Sequence, residues 1–173
     1  AHLDVEIPGR SPWDLVRGLN ALTPDDICVL YAEPAPPGFH ARHDSRGKTY
    51  RYRIWNHRFP HPLRLERAWW VRPELDVARM RRAARRLEGE HDFRAFRASD
   101  CQAHTTERRL RQVRIERQGA QVSIEVRGDA FLKYMVRIVT GTLVDIGRGH
   151  LEPQVIDEMF ARGERARGGP TAP

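Results

Sequence analysis

The stretch GDAFLKYMVRIVTGTLVDIG, Gly128–Gly147, sets one arginine, Arg137, in the middle of a long apolar run. Its pattern predicts a single helix with Asp129 as the N-terminal cap. Phe131, Leu132, Tyr134, Met135, Val136, Ile138, Val139, Leu143, Val144 and Ile146 make almost every side apolar, as in a core helix. A guanidinium in that setting must reach a carboxylate or phosphate, because leaving a buried charge unpaired is strongly destabilising. Lys133, one helical turn earlier, shares its face. Two cations on one face suit the wall of an anion site. Arg137 could equally snorkel to solvent or pair with a remote structural acid, and periodicity leaves these readings open.

The 173 residues are enough for one large domain, or for one domain plus part of another. With 40% apolar and 31% charged residues the composition is that of a soluble globular protein, and no run approaches a membrane span. The net charge of +7 favours a polyanionic partner, and only Lys48 and Lys133 among the 30 basic residues are lysines. Arginine suits phosphate contacts and base stacking. Cys28 and Cys101 lack any pairing spacing and read as reduced cytoplasmic thiols. The opening AHLDVEI has neither an initiating Met nor a signal pattern, so a trimmed product or an interior piece of a longer chain is expected.

Outward from the central stretch, Val113 and Ile115, then Val122, Ile124 and Val126, alternate around Gln118-Gly119 and predict a hairpin leading into the helix. Upstream, KTYRYRIWN is a strand with Tyr50, Tyr52 and Ile54 on one face and Arg51, Arg53 and Trp55 on the other. An aromatic strand face serves either as core or as an RNA platform. Further strands are expected at Leu3–Ile7, 27–32 and 65–71. Ser11-Pro12 starts a helix with Trp13, Val16, Leu19 and Leu22 inward. Pro73 and Asp76 start another, with Val77, Met80, Ala84 and Leu87 inward and Gly89 as its stop. HDFRAFRASD reads as a loop, Pro153 opens a last amphipathic helix, and the tail ERARGGPTAP adds no strand. The segment EPAPPG, 33–38, is the best domain boundary. His40, His43, Cys101 and His104 have none of the paired spacing of a zinc site, so no metal is expected.

In this order, FHAR at 39–42, the KTYRYRIWN strand, HDFRAFR at 91–97, AFLKYMVRIVTGTLVDIGRG and the closing TAP resemble landmarks of the TruA-type tRNA pseudouridine synthases. The upstream GLNALTPDDICV resembles that family too, so the likeness covers nearly the whole chain. It implies the pseudouridine synthase fold: α+β, a mostly antiparallel mixed sheet with helices packed on one face. Residues 1–37 would end the first, catalytic-loop domain, and 38–173 would form the second, which carries the cleft wall. The implied activity is an isomerase acting on uridines 38–40 of the tRNA anticodon arm without cofactor or metal. The implied state is a cytoplasmic homodimer, with tRNA across basic surfaces of both subunits.

Residue by residue, the resemblance gives Tyr50 as the catalytic tyrosine packed on the uracil and Arg137 as the partner of the catalytic aspartate. Phe131 and Met135 would lie near the target base, with Arg42, Arg97 and Lys133 along the substrate cleft. Tyr134 and Ile138 stand where the family often has histidine and asparagine. The family's nucleophile belongs to a Gly-Arg-Thr-Asp-Ala-Gly-Val-His loop expected just before Ala1, and a final strand is expected after Pro173. On that reading the chain alone is inactive. The alternative is a non-catalytic basic RNA-binding module that uses the same cleft.

Overall fold

The computed structural model describes His2 and residues 8–173, which fall into two compact units divided between Ser45 and Arg46. The division lies beyond the proline-rich segment 33–38. The strand expected at Leu3–Ile7 falls outside the described residues.

In the first unit, helix α1 (Pro12–Leu22) begins with a full capping box: the Ser11 hydroxyl accepts from the Asp14 amide, and the Asp14 carboxylate accepts from the Ser11 amide. Of the face expected inward, Val16 is buried while Trp13 and Leu22 are exposed, since no second layer covers the helix among the described residues of this unit. The strand expected at 27–32 does not form. Its backbone finds a side chain in place of a neighbouring strand, the Asn20 amide donating to the Val29 carbonyl at 2.9 Å and accepting from its N–H at 2.7 Å. Arg42 is exposed in a turn held by the His40 ring, whose Nδ1 accepts from the amides of Arg42 and His43.

The second unit is built on a five-stranded sheet of β1 (Lys48–Asn56), β2 (Trp69–Val71), β3 (Gly89–Asp92), β4 (Glu107–Gln118) and β5 (Gln121–Gly128), in the order β2-β1-β5-β4-β3. Only the β1–β2 pair is parallel. The predicted hairpin is β4–β5, and Gly119 takes the φ of 59° that its tight turn requires. Helices α2 (Val77–Arg86), α3 (Met135–Gly147) and α4 (Val155–Arg162) complete an α+β architecture. Ile54, Val122, Ile124 and Val126 form one core with Met80, Ala84, Ile138 and Leu143. Gly147 belongs there for a steric reason: a Cβ would stand 2.8 Å from the Met80 sulfur. Among the described residues no helix is long and apolar enough to cross a membrane.

Several sequence expectations for the second unit are corrected. The central helix starts at Met135, not at Asp129, because β5 continues to Gly128 and a loop follows. Asp129 is therefore no cap. A bulge between Leu110 and Gln112 frees Arg111 from the ladder, and its Nε reaches the Asp129 carboxylate at 2.6 Å. The strand expected at 65–71 is only Trp69–Val71, since a 3-10 turn at Pro62–Arg64 and backbone bonds from Arg67 and Ala68 to the Arg64 carbonyl coil the chain first. Helix α2 ends at Arg86, and Gly89, with φ 106°, opens β3 instead of stopping the helix. The expected loop at 91–100 in fact contributes His91 and Asp92 to β3. It also contributes a 3-10 turn, Arg94–Phe96, that buries Phe93 and Phe96 against Phe160.

Candidate active site

Strand alternation creates the first part of the site. Tyr50, Tyr52 and Ile54 share a face of β1 that runs from half-exposed Tyr50 to fully buried Ile54. The Phe131 ring, carried on the loop between β5 and α3, meets Tyr50 edge-on with centroids 5.0 Å apart. Such a pair keeps one aromatic face packed and leaves another for a planar ligand. Tyr52 donates its hydroxyl to the Pro173 carbonyl and meets Trp69 edge-on. Burial pushes the Tyr52 phenol above its usual range, and the Arg137 guanidinium partly opposes that shift. A cavity of about 530 Å³ opens beside Tyr52, bordered by Arg51, Arg53, Arg67, Trp69, Trp70 and Pro173.

Arg137, in the first turn of α3, is the second part. Its Nε donates to the Ala172 carbonyl at 2.6 Å, while the Ala172 amide donates to the Arg137 carbonyl at 3.1 Å. This two-point clasp exists because the tail lies directly on the helix. A Cβ on Gly141 would stand 1.6 Å from the Pro170 carbonyl oxygen, and the Gly169 amide donates to the Thr142 hydroxyl. Arg137 has no carboxylate within ion-pair distance among the described residues. With Nε committed to the tail, the two terminal nitrogens are left to take a carboxylate or phosphate in a paired fashion.

The loop 129–134 joins the two parts. Its last residue, Tyr134, has φ 59° and ψ 6°, a left-handed conformation that costs a side chain about 1–2 kcal/mol. Its ring lies 4.7 Å from the Arg137 guanidinium carbon. Lys133, expected to share a helix face with Arg137, lies outside the helix and pairs with Asp100. Their hydrogen bond holds the Asp100 carboxyl below and the Lys133 ammonium above their usual ranges. The loop around Arg97 is stitched to the same place: the Ala98 amide donates to the Lys133 carbonyl at 3.0 Å. The amides of Ala103 and Lys133 hold the Cys101 thiol below its usual range, with help from Arg97.

The structure thus brings Tyr50 to Phe131, and Arg137 to Tyr52, Tyr134 and the tail. No hydrogen bond or ion pair joins the two sets among the described residues, but Tyr50 and Tyr52 are successive residues on one strand face, which makes the sets neighbours. Met135 lies in the core, 1% exposed. Arg42 belongs to the first unit. Sequence reasoning named Tyr52 only as a strand-face aromatic and Tyr134 only as a departure from the family's usual histidine, and it did not reach the tail clasp. Tyr52 was legible as the next aromatic on the Tyr50 face, and Gly141, a glycine inside a helix, signals close backbone approach. Nothing in the sequence marks Tyr134 as left-handed.

A sequence model described as tRNA pseudouridine synthase matches residues 83–173, more than half the chain and including α3, the loop before it and the tail. This chain belongs to the tRNA pseudouridine synthase family. It is 47% identical over 156 residues to the tRNA pseudouridine synthase A of Geotalea uraniireducens, covering 90% of this chain and 64% of that protein. The namesake from Myxococcus xanthus is 48% identical over 159 residues, with 91% and 60% covered. That from Geobacter sulfurreducens is 45% identical over 170 residues, with 98% and 68% covered. The chain therefore spans between 60% and 68% of the length of these synthases.

Proposed function

We propose that this chain forms the greater part of the catalytic cleft of a synthase that converts uridines 38–40 of the tRNA anticodon arm to pseudouridine. Family membership supports the reaction class. The observation that carries the site reading is Arg137, whose Nε is committed to the Ala172 carbonyl and whose terminal nitrogens have no carboxylate among the described residues. The reaction exchanges the N1–C1′ glycosidic bond of uridine for a C5–C1′ bond, with N1 gaining a proton and C5 losing one. It needs a carboxylate nucleophile held ionised at neutral pH. A guanidinium beside that carboxylate lowers its pKa and fixes its aim.

Tyr50, braced edge-on by Phe131, would hold the detached uracil flat while it turns, and Met135 would act only from within the core. The target base must leave its stack to reach this surface. Arg97 of the second unit, and separately Arg42 of the first, would meet phosphates of the RNA, in keeping with the net charge of +7, while Lys133 is already paired with Asp100. The working state would be a homodimer.

The experiment is pseudouridine formation in an anticodon-arm tRNA transcript, read by carbodiimide modification and primer extension. The full-length protein should modify positions 38–40, while residues 1–173 alone should bind the RNA without converting it. Binding by both with conversion by neither would favour the reading as a basic RNA-binding module.

A further inference from the structure

Tyr134 is the one non-glycine residue with positive φ among the described residues. Such a conformation persists only where its surroundings enforce it, and it points to a role for the residue. The usual compensations are missing. The residue is 48% exposed, and its side chain makes no capping hydrogen bond although it stands at the start of α3. In this conformation the ring lies close to two cations, the Arg137 guanidinium carbon at 4.7 Å and Lys133 Nζ at 5.6 Å from its centroid. These cations differ. Lys133 is neutralised by Asp100, whereas the only side-chain hydrogen bond of Arg137 among the described residues runs from Nε to the Ala172 carbonyl. A guanidinium held by one hydrogen bond is only loosely fixed, because its flexible stem lets the whole group shift. The cation–π attraction of an aromatic ring 4.7 Å away adds a second restraint, while the terminal nitrogens make no hydrogen bond among the described residues.

We propose that Tyr134 is a positioning residue whose ring holds the Arg137 guanidinium in the plane where its terminal nitrogens meet a carboxylate. This rests on the reading of Arg137 as the partner of the synthase's nucleophilic aspartate. The task needs a flat π surface and not a hydroxyl, so phenylalanine serves and leucine does not. It also accounts for the backbone: a residue with helical φ would direct its Cβ, and hence its ring, elsewhere.

In the full-length protein Tyr134→Leu is expected to lower kcat for pseudouridine formation about tenfold or more while KM for tRNA stays within about twofold, the signature of an interaction made only in the transition state. The acid limb of the rate should move to higher pH, because a carboxylate facing a loosened guanidinium ionises less readily. Tyr134→Phe should retain both. Tyr134→Gly, which relieves the positive φ, should melt no lower than the wild type yet show the kinetic loss of Tyr134→Leu, which separates the effect from folding. In the 173-residue chain without RNA, the nitrogen-15 resonance of Arg137 Nε should be sharp in the wild type and Tyr134→Phe and broadened in Tyr134→Leu. An unchanged kcat and acid limb in Tyr134→Leu, in an enzyme that Arg137→Gln disables, overturns the role of Tyr134 alone. A loss confined to KM does the same and makes the ring an RNA contact. Full activity in Arg137→Gln overturns the reading of Arg137 and this one with it.

Discussion

Tyr50 and Arg137 have opposite settings, and the difference predicts how each fails. Tyr50 is 46% exposed, and among the described residues its one ring contact is with Phe131. Tyr50→Ala should leave folding nearly unchanged and weaken binding to an anticodon stem-loop by about 1–3 kcal/mol, the loss expected for a stacking aromatic; filter binding at fixed salt measures it. A third residue, Asp92, reports on acid stability. The Thr106 hydroxyl holds its carboxyl below the usual 3.8 against the upward push of burial, with smaller help from the Arg94 amide and the guanidinium groups of Arg94 and Arg97. A depressed carboxylate stabilises the fold above its unfolded pKa, and that contribution fades as pH falls through the lower folded value. Thr106→Val removes the largest cause. Its stability deficit at neutral pH should therefore shrink as pH drops below about 4, as read by urea unfolding across an acid pH series.

The elements show where sequence patterns suffice. Helix α1 starts at its capping box, α2 at Asp76, and the β4–β5 hairpin turns at Gly119, because each is fixed by residues adjacent in the chain. The start of α3 was not legible for the opposite reason. Apolar periodicity continues unbroken from Phe131, and the helix is held off until Met135 by β5 pairing and by Arg111 taking the Asp129 carboxylate. Strand β3 was hidden likewise, since GEHD has no strand pattern and forms only because β4 offers it an edge. Of the candidate site, Tyr50 and Arg137 were readable from motifs, whereas the tail clasp depends on a contact across many intervening residues. Gly141 makes that contact sterically possible. Gly141→Ala should push the tail off α3 and destabilise the unit by about 1–3 kcal/mol, as overpacking does. Limited proteolysis should then cut within 168–173 first, and an intact tail in Gly141→Ala would count against the clasp.

For the whole molecule, the fold separates two tasks. The sheet and α2, α3 and α4 make a core that owes nothing to RNA, while loop 129–134, the tail and the Tyr50 end of β1 carry the groups that could meet it. A surplus of seven positive charges predicts that RNA binding by residues 1–173 falls steeply with salt, and a titration between about 50 and 200 mM tests this. The clearest measurement pairs conversion with affinity for one substitution. Full-length protein carrying Arg137→Gln should bind the anticodon stem-loop nearly as the wild type does yet form pseudouridine about 100-fold more slowly or worse, as removal of a preorganised electrostatic partner predicts. Conversion at the wild-type rate would contradict the account, since Arg137 would then be a structural arginine that only ties the tail to α3.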